Sequence, residues 1–401
     1  MSQAATAAVN RWEGSTLFER VQSILPTIAA NAEECERLRT VPDENIRLLK
    51  EIGFTRAFQP RKYGGLESTL EDFCQCIVEL AKGCGSTAWA ATLLNTHQHQ
   101  IALFSAQAQE DIWREDPEAT ASSSVAPFGK IVEVDGGVML SGDMTWSTGC
   151  DHAEWAIMGF LREGNPVNPK PHTHFALVPR KEYEIIDDWY ACAMRGSGTK
   201  TLKIRDVFVP NHRIESAEAL MTGRSAGWGL YPDSEIFFAA YRPYFACGFS
   251  AISLGIAERM IEWFVKRSKS RVRAYTLAEV GKDVPAFMRL AESQHQVNAA
   301  RALLEKDWRD LTGQCRKQEL QSADQLARWR TNQAYATKMC IQAVDRLYES
   351  SGANAWFDNN EAQRLFRDSH ITGAHAYTDY DVCKQIYGRH LIGLEPDPRL
   401  A

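Results

Sequence analysis

Residues 142–155, GDMTWSTGCDHAEW, place two tryptophans, adjacent hydroxyls at Ser147 and Thr148, a thiol at Cys150 and an Asp151–His152 pair in one short stretch. Three chemistries could use such a set. A nucleophile needs a base and a group that orients the base, and no such pair is implied around Ser147. A metal site needs convergent ligands at separated positions, whereas Cys150, Asp151 and His152 are contiguous and lack partners at ligand spacing. What remains is a shelf for a planar cofactor, worked by Trp146, Ser147 and Thr148, with residues 150–152 as structural followers.

A second candidate lies upstream. Residues 83–109 contain no Asp, Glu, Lys or Arg, yet they hold Asn95, Thr96, His97, Gln98, His99 and Gln100. A membrane span needs roughly 20 predominantly apolar residues, so a helix buried inside the protein, with a polar patch on a pocket, fits better. His97 and His99 stand roughly 200° apart around a helix. They cannot face one site, which argues against a shared metal. The ten cysteines form no CxxC pair, so reduced thiols, no metal and a cytoplasmic location are expected. The start, MSQAATAAVNRWEG, lacks the basic-then-apolar pattern of a signal peptide. A net charge of −6 without a Lys/Arg-dense run excludes a phosphate-backbone partner.

Periodicity supplies the elements that must carry these residues. Residues 1–117 read as helices with apolar positions at 3–4 spacing; in TVPDENIRLLKEIGF, Thr40 and Asp43 mark a helix start and Gly53 its stop. Residues 118–216 alternate like short strands, with Asp-Gly-Gly and Ser-Gly-Asp as hairpin signals and the loop EGNPVNPKPH between them. Residues 217–401 return to long amphipathic helices. The expected fold class is mainly α with a central antiparallel β domain. No βαβ alternation appears, and RGSGTKT leads into a strand and lacks a third glycine, so a dinucleotide-binding domain is not expected.

WSTG at 146–149, AMRGSGTKTLKIRDVFVP and RLFRDSHITGAHAYTD, in that order, resemble the acyl-CoA dehydrogenase fold family. RAFQPRKYGG, STAWAATLLNTHQHQ, ATASSSVAPFGK and SAGWGLYPDSEIFFAAYRPYFACGFSA narrow the likeness to the oxygenase components of two-component flavin monooxygenases. The glutamate of the dehydrogenases' Tyr-Glu-Gly-Thr run is Ala376 here, which removes that base for α-proton abstraction.

The resemblance implies a role for each candidate. His97, Ser123, Thr148 and His375 are the catalytic set: His97 and Ser123 at the phenol oxygen, Thr148 by flavin N5, His375 managing the proton when oxygen adds at C4a. Trp89, Arg242, Phe245 and Tyr377 form the substrate pocket, with Arg242 at an acidic tail. Trp146, Ser147, Thr148, Arg271, Gly352 and Ala353 hold the flavin, with Arg273 as the alternative to Arg271 at its phosphate. The family pattern is Ser-Ser where this chain has Ser147-Thr148; threonine keeps the hydroxyl and adds a methyl. The implied cofactor is reduced FMN, with FADH2 as an alternative and O2 as co-substrate. The implied partners are a separate NAD(P)H:flavin reductase and a small aromatic substrate, in a homotetramer. The implied reaction is ortho-hydroxylation of a phenolic acid such as 4-hydroxyphenylacetate. Oxygenation of indole or another phenol, and an acyl-CoA dehydrogenase with bound FAD, are the other readings.

Overall fold

The structure, a computed structural model, describes residues 12, 14–163 and 172–394. The proline-rich loop expected at 163–172 lies outside these apart from its two end residues. The amino-terminal helices are α1 (Leu17–Ala30), α2 (Ala32–Leu38), α3 (Asp43–Glu51), α4 (Leu70–Gly83), α5 (Gly85–Ala102) and α6 (Ala106–Trp113). The strands are β1 (Ala121–Val134), β2 (Gly137–Ser147), β3 (Trp155–Arg162), β4 (His172–Pro179), β5 (Glu184–Ile186), β6 (Lys200–Pro210) and β7 (Ile214–Ser216). Then come α7 (Ala217–Thr222), α8 (Tyr241–Ser268), α9 (Val284–Arg316), α10 (Ala323–Glu349), α11 (Glu361–Thr372) and α12 (Tyr380–Leu391).

Local chemistry sets many of these ends. Thr16 and Glu19 make a capping box on α1, as Ser322 and Gln325 do on α10. Asp43 opens α3 as expected, but Thr40 does not cap it. Pro42 precedes it, and Thr40 instead donates its hydroxyl to the Asp151 carboxylate at 2.7 Å. Gly53 does stop that helix, at φ 77°.

The sheet runs β5-β6-β2-β1-β3-β4-β7. Every neighbouring pair is antiparallel except β1 and β3, which are parallel. The expected antiparallel unit therefore contains one parallel pair. β1 serves two neighbours: residues 121–124 and, after a register shift, Gly129 pair with β3, and residues 130–134 pair with β2. Pro127 falls in that register shift, where a missing N–H costs no ladder bond. Asp135-Gly136 makes the expected hairpin turn. Ser141-Gly142-Asp143 does not turn the chain. It lies inside β2 at a register shift against β6, a bulge where the Ser141 hydroxyl donates to Asp206 and accepts its N–H, both at 2.8 Å.

α5 is buried along its whole length, packed against α8 and β1. Its polar side chains satisfy the backbones that cross it. Asn95 accepts from Ala57 N–H at 3.0 Å, Gln98 donates to Ala119 O at 3.0 Å, His97 donates to Ala121 O at 2.6 Å and His99 to Ile236 O at 3.0 Å. This explains how an uncharged yet polar helix sits in a protein core. No helix among the described residues is long and apolar enough to cross a membrane.

Candidate active site

Where β1 bends, a cavity of ≈ 530 Å³ opens between the sheet, α5, α8 and the turn after α11. Trp89, Ser123, Trp146, Thr148, Phe245, His375 and Tyr377 all line it, although they come from five separate stretches of the chain.

One wall is aromatic. The His375 ring lies 4.0 Å from Phe249, 5.9 Å from Trp89 and 5.9 Å from Tyr377, centroid to centroid. Phe245 stands 6.4 Å from His375 and 5.3 Å from Tyr377. His375 Nδ1 accepts the Tyr377 N–H at 3.3 Å, so the proton of the neutral ring sits on Nε2. Burial, with the charge of Arg330, holds the His375 pKa at about 4.

His97 is fixed in the opposite tautomer. The Ala121 carbonyl can only accept, so Nδ1 carries the proton, and the buried Nε2 has no partner among the described residues. Burial lowers its pKa to about 4. The ring lies 5.9 Å from Phe245 rather than on the cavity surface. Ser123 follows Ala121 by one pleat repeat on β1 and does reach the surface. His99 points elsewhere, stacked on Tyr244 at 4.0 Å. The two histidines do not share a site, and among the described residues no group of His, Cys, Asp or Glu could hold a metal.

The opening stretch divides. Trp146, at φ 64°, is 64% exposed at the rim. Ser147 turns away and donates to the Ser122 hydroxyl at 2.9 Å. Thr148 reaches the cavity and starts a run of hydroxyls, 2.9 Å to Thr199 and from there 2.7 Å to Ser197. Ser197 and Thr199 also line the cavity, and sequence reasoning missed them. In RGSGTKT the hydroxyls, not the glycines, are the signal. Residues 150–152 are structural: Asp151 pairs with Lys200 at 2.9 Å and His152 donates to Val41 O at 2.8 Å.

The Arg-Asp helix α11 supports this loop. Asp368 is buried and accepts the N–H of Met194, a lining residue held at φ 46°, at 2.6 Å. Burial raises the Asp368 pKa to about 7. Ala376, which stands for the glutamate of the dehydrogenases' Tyr-Glu-Gly-Thr run, lines the cavity. The one carboxylate among the lining residues, Asp379, is engaged in capping α12 through the N–H groups of Asp381 and Val382.

Four predicted residues stand apart. Arg242 lines a second cavity, beyond Tyr377, which borders both. Arg271 donates to Ser350 O at 2.6 Å and lies over Gly352, where an added Cβ would come within 2.2 Å of Nη2. Gly352, at φ 74°, is followed by Ala353 at the start of a short turn. Arg273 is paired with Asp283, whereas Arg271 has no carboxylate partner among the described residues. Within one chain this cluster does not line the ≈ 530 Å³ cavity.

Two family models match the chain: the acyl-CoA dehydrogenase N-terminal domain over residues 17–116 and the acyl-CoA dehydrogenase C-terminal domain over residues 247–380. The chain is 60% identical over 390 residues to the p-hydroxyphenylacetate 3-hydroxylase oxygenase component of Acinetobacter baumannii, covering 96% of this chain and 91% of that protein. It is 35% identical to the flavin-dependent monooxygenase oxygenase subunit HsaA of Mycobacterium tuberculosis, covering 97% and 98%. The crystal structure of the 3-HSA hydroxylase from Rhodococcus sp. RHA1 superposes with a TM-score of 0.90 at 32% identity, covering 97% of this chain and 100% of that one.

Proposed function

Because the chain belongs to the oxygenase components of flavin-dependent monooxygenases, built on the acyl-CoA dehydrogenase fold, we propose that it ortho-hydroxylates 4-hydroxyphenylacetate to 3,4-dihydroxyphenylacetate. We assign reduced FMN as its flavin, delivered by a separate NAD(P)H-dependent reductase, and a homotetramer as its working form. The substrate is that of the relative at 60% identity.

The observation that carries this reading is the cavity that Trp89, Ser123, Phe245, His375 and Tyr377 share, with His97 buried beside Phe245, its tautomer fixed by Ala121 and its Nε2 without a partner among the described residues. A phenol fits this cavity with its O–H turned to the His97 side, where a neutral imidazole can take up that proton and the electron density left on oxygen makes the adjacent ring carbon nucleophilic. Ser123 gives the same oxygen a second hydrogen-bond partner. Phe245 and His375 flank the ring, and the Tyr377 end takes the tail, with the Arg242 charge behind it. His375 presents its Nε2–H as a proton donor. The apolar wall excludes water, which strengthens each of these interactions.

The flavin fits the remaining groups. Trp146, Thr148, Ser197 and Thr199 offer a flat rim and a run of hydroxyls. Arg271, without a carboxylate partner, suits a phosphate, and its separation from the cavity in one chain supports its reaching the flavin of a neighbouring copy. When bound, reduced flavin with O2 supplies the oxygen atom and the oxidising power. In the test, the protein receives chemically reduced FMN, O2 and a panel of phenols and indoles, read by product mass. One added oxygen atom on 4-hydroxyphenylacetate is expected. Hydrogen peroxide alone with every phenol would overturn the proposal, and turnover of indoles only would redirect it.

A further inference from the structure

The turn that brings Ser197 to the cavity is held from outside the cavity. It pivots on Met194, at φ 46° and ψ 37° in the left-handed region, where a residue with a Cβ is disfavoured. Neighbouring groups must impose that conformation. Trp189 donates its indole N–H to the Met194 carbonyl at 3.0 Å, and the Ser197 N–H reaches the same oxygen at 3.0 Å. The Met194 N–H goes to the Asp368 carboxylate at 2.6 Å. Arg367, the preceding residue of α11, donates to the Cys192 carbonyl and, at 2.7 Å, to Glu36. Two successive side chains of one helix therefore grip the turn on either side of Ala193.

Asp368 is 2% exposed and does not line the cavity. A carboxylate is costly to bury, and this one bonds a backbone amide rather than a cation. Beyond Met194 the turn decides where the hydroxyls stand. The Gly149 N–H reaches the Ser197 carbonyl at 3.1 Å, which ties the turn to Thr148, the residue before Gly149. Gly196 lies on Cys35 of α2, where an added Cβ would come within 2.2 Å of Sγ. Rotation of Met194 out of the left-handed region would displace Gly196 and Ser197 together, and with them the run from Ser197 through Thr199 to Thr148.

We propose that Asp368 is a positioning residue for the flavin: through the Met194 N–H it fixes the turn that sets Ser197, Thr199 and Thr148 on the cavity. Only the identity of what the hydroxyls hold rests on the function proposed above; the action of Asp368 on the turn does not.

Asp368→Leu keeps a side chain of similar size and removes the acceptor, whereas Asp368→Asn removes the charge and keeps an acceptor. Hydrogen exchange across residues 190–199 of the flavin-free protein reads the turn, and anaerobic titration with reduced FMN reads the site. Asp368→Leu should speed exchange at least about fivefold and weaken FMN binding about tenfold. Asp368→Asn should stay within about twofold of the wild type in both. Glycine takes the left-handed conformation freely, so in a Met194→Gly background Asp368→Leu should cost less than about threefold in FMN affinity. Unchanged exchange in Asp368→Leu would overturn the proposal, as would an equal loss of FMN affinity with and without Met194→Gly. A tenfold loss in Asp368→Asn would also overturn it, and that variant decides the matter if Asp368→Leu does not fold. Faster exchange with unchanged FMN affinity would overturn the placing of flavin on this turn. A wild type that binds no reduced FMN would instead sink the proposed function, with the exchange comparison still judging Asp368.

Discussion

At His97 the Ala121 carbonyl takes the one proton of a neutral ring, leaving Nε2 as an acceptor; at His375 the Tyr377 N–H does the reverse. One imidazole is thus set to receive a proton and the other to give one, although both stay uncharged down to about pH 4. His97→Ala should lower the rate of hydroxylation about a hundredfold with flavin affinity unchanged, measured by single-turnover product formation and flavin titration. Thr148 bonds to Thr199, so Thr148→Val, which keeps the shape and drops the hydroxyl, should divert oxygen to peroxide, read as a lower ratio of product to O2 consumed. Thr148→Ser should not. Arg242→Asp should cost an acidic phenol at least about tenfold more in kcat/KM than an uncharged phenol, because it reverses the charge behind Tyr377. Equal losses would remove the arginine from substrate choice.

Helix crossings hold these side chains in place. α8 passes α5 and α4 at glycines: a Cβ on Gly248 would meet Thr92 at 2.1 Å, and one on Gly255 would meet the Val78 carbonyl at 2.2 Å. Alanine favours a helix over glycine by about 1 kcal/mol, but at Gly255 the backbone clash opposes it. Gly255→Ala should therefore destabilise by about 1–3 kcal/mol. In α9, Gly313→Ala has open space and should stabilise by roughly 0.5–1 kcal/mol; urea denaturation compares the two. Hydrophobic period made most helices legible, but not their every limit. α12 lies inside the helical stretch expected at 217–401, but Tyr380–Leu391 carries one fully buried residue, Cys383, and so shows little apolar stripe to mark its limits. Ser-Gly-Asp looked like a turn because a bulge uses the same residue types.

Across the whole molecule, buried titratable groups pull stability in two directions. His97, His99 and His375 sit at about 4 against an ordinary 6.5. The unfolded chain binds more protons between those values, so they withdraw stability as pH falls from 6.5 towards 4. Asp368, at about 7, and Asp307, at about 6, are raised from 3.8. They withdraw stability as pH rises from 3.8 through those values. Asp368→Asn keeps an acceptor for Met194 and removes one opposing group. Its thermal midpoint should fall more steeply than that of the wild type as pH drops from 7 to 5. Parallel slopes would place the charge of Asp368 elsewhere.

The sequence by itself determined the order of helices, strands and helices, because period and turn chemistry are local. Through motif order it also marked the family and the residues 89, 123, 146, 148, 245, 375 and 377 that share one cavity. It separated His97 from His99, since two residues on a helix cannot point one way. Only the tertiary structure decided which nitrogen of each histidine is free, because a carbonyl and an N–H from distant segments make that choice. It turned Ser147 inward and brought Ser197 and Thr199 to Thr148, through strand register that alternation alone does not set. It also placed Arg242 across Tyr377, in a cavity built from α8, α10 and α12. Helices far apart in the chain enclose that space, and no window of the sequence contains it.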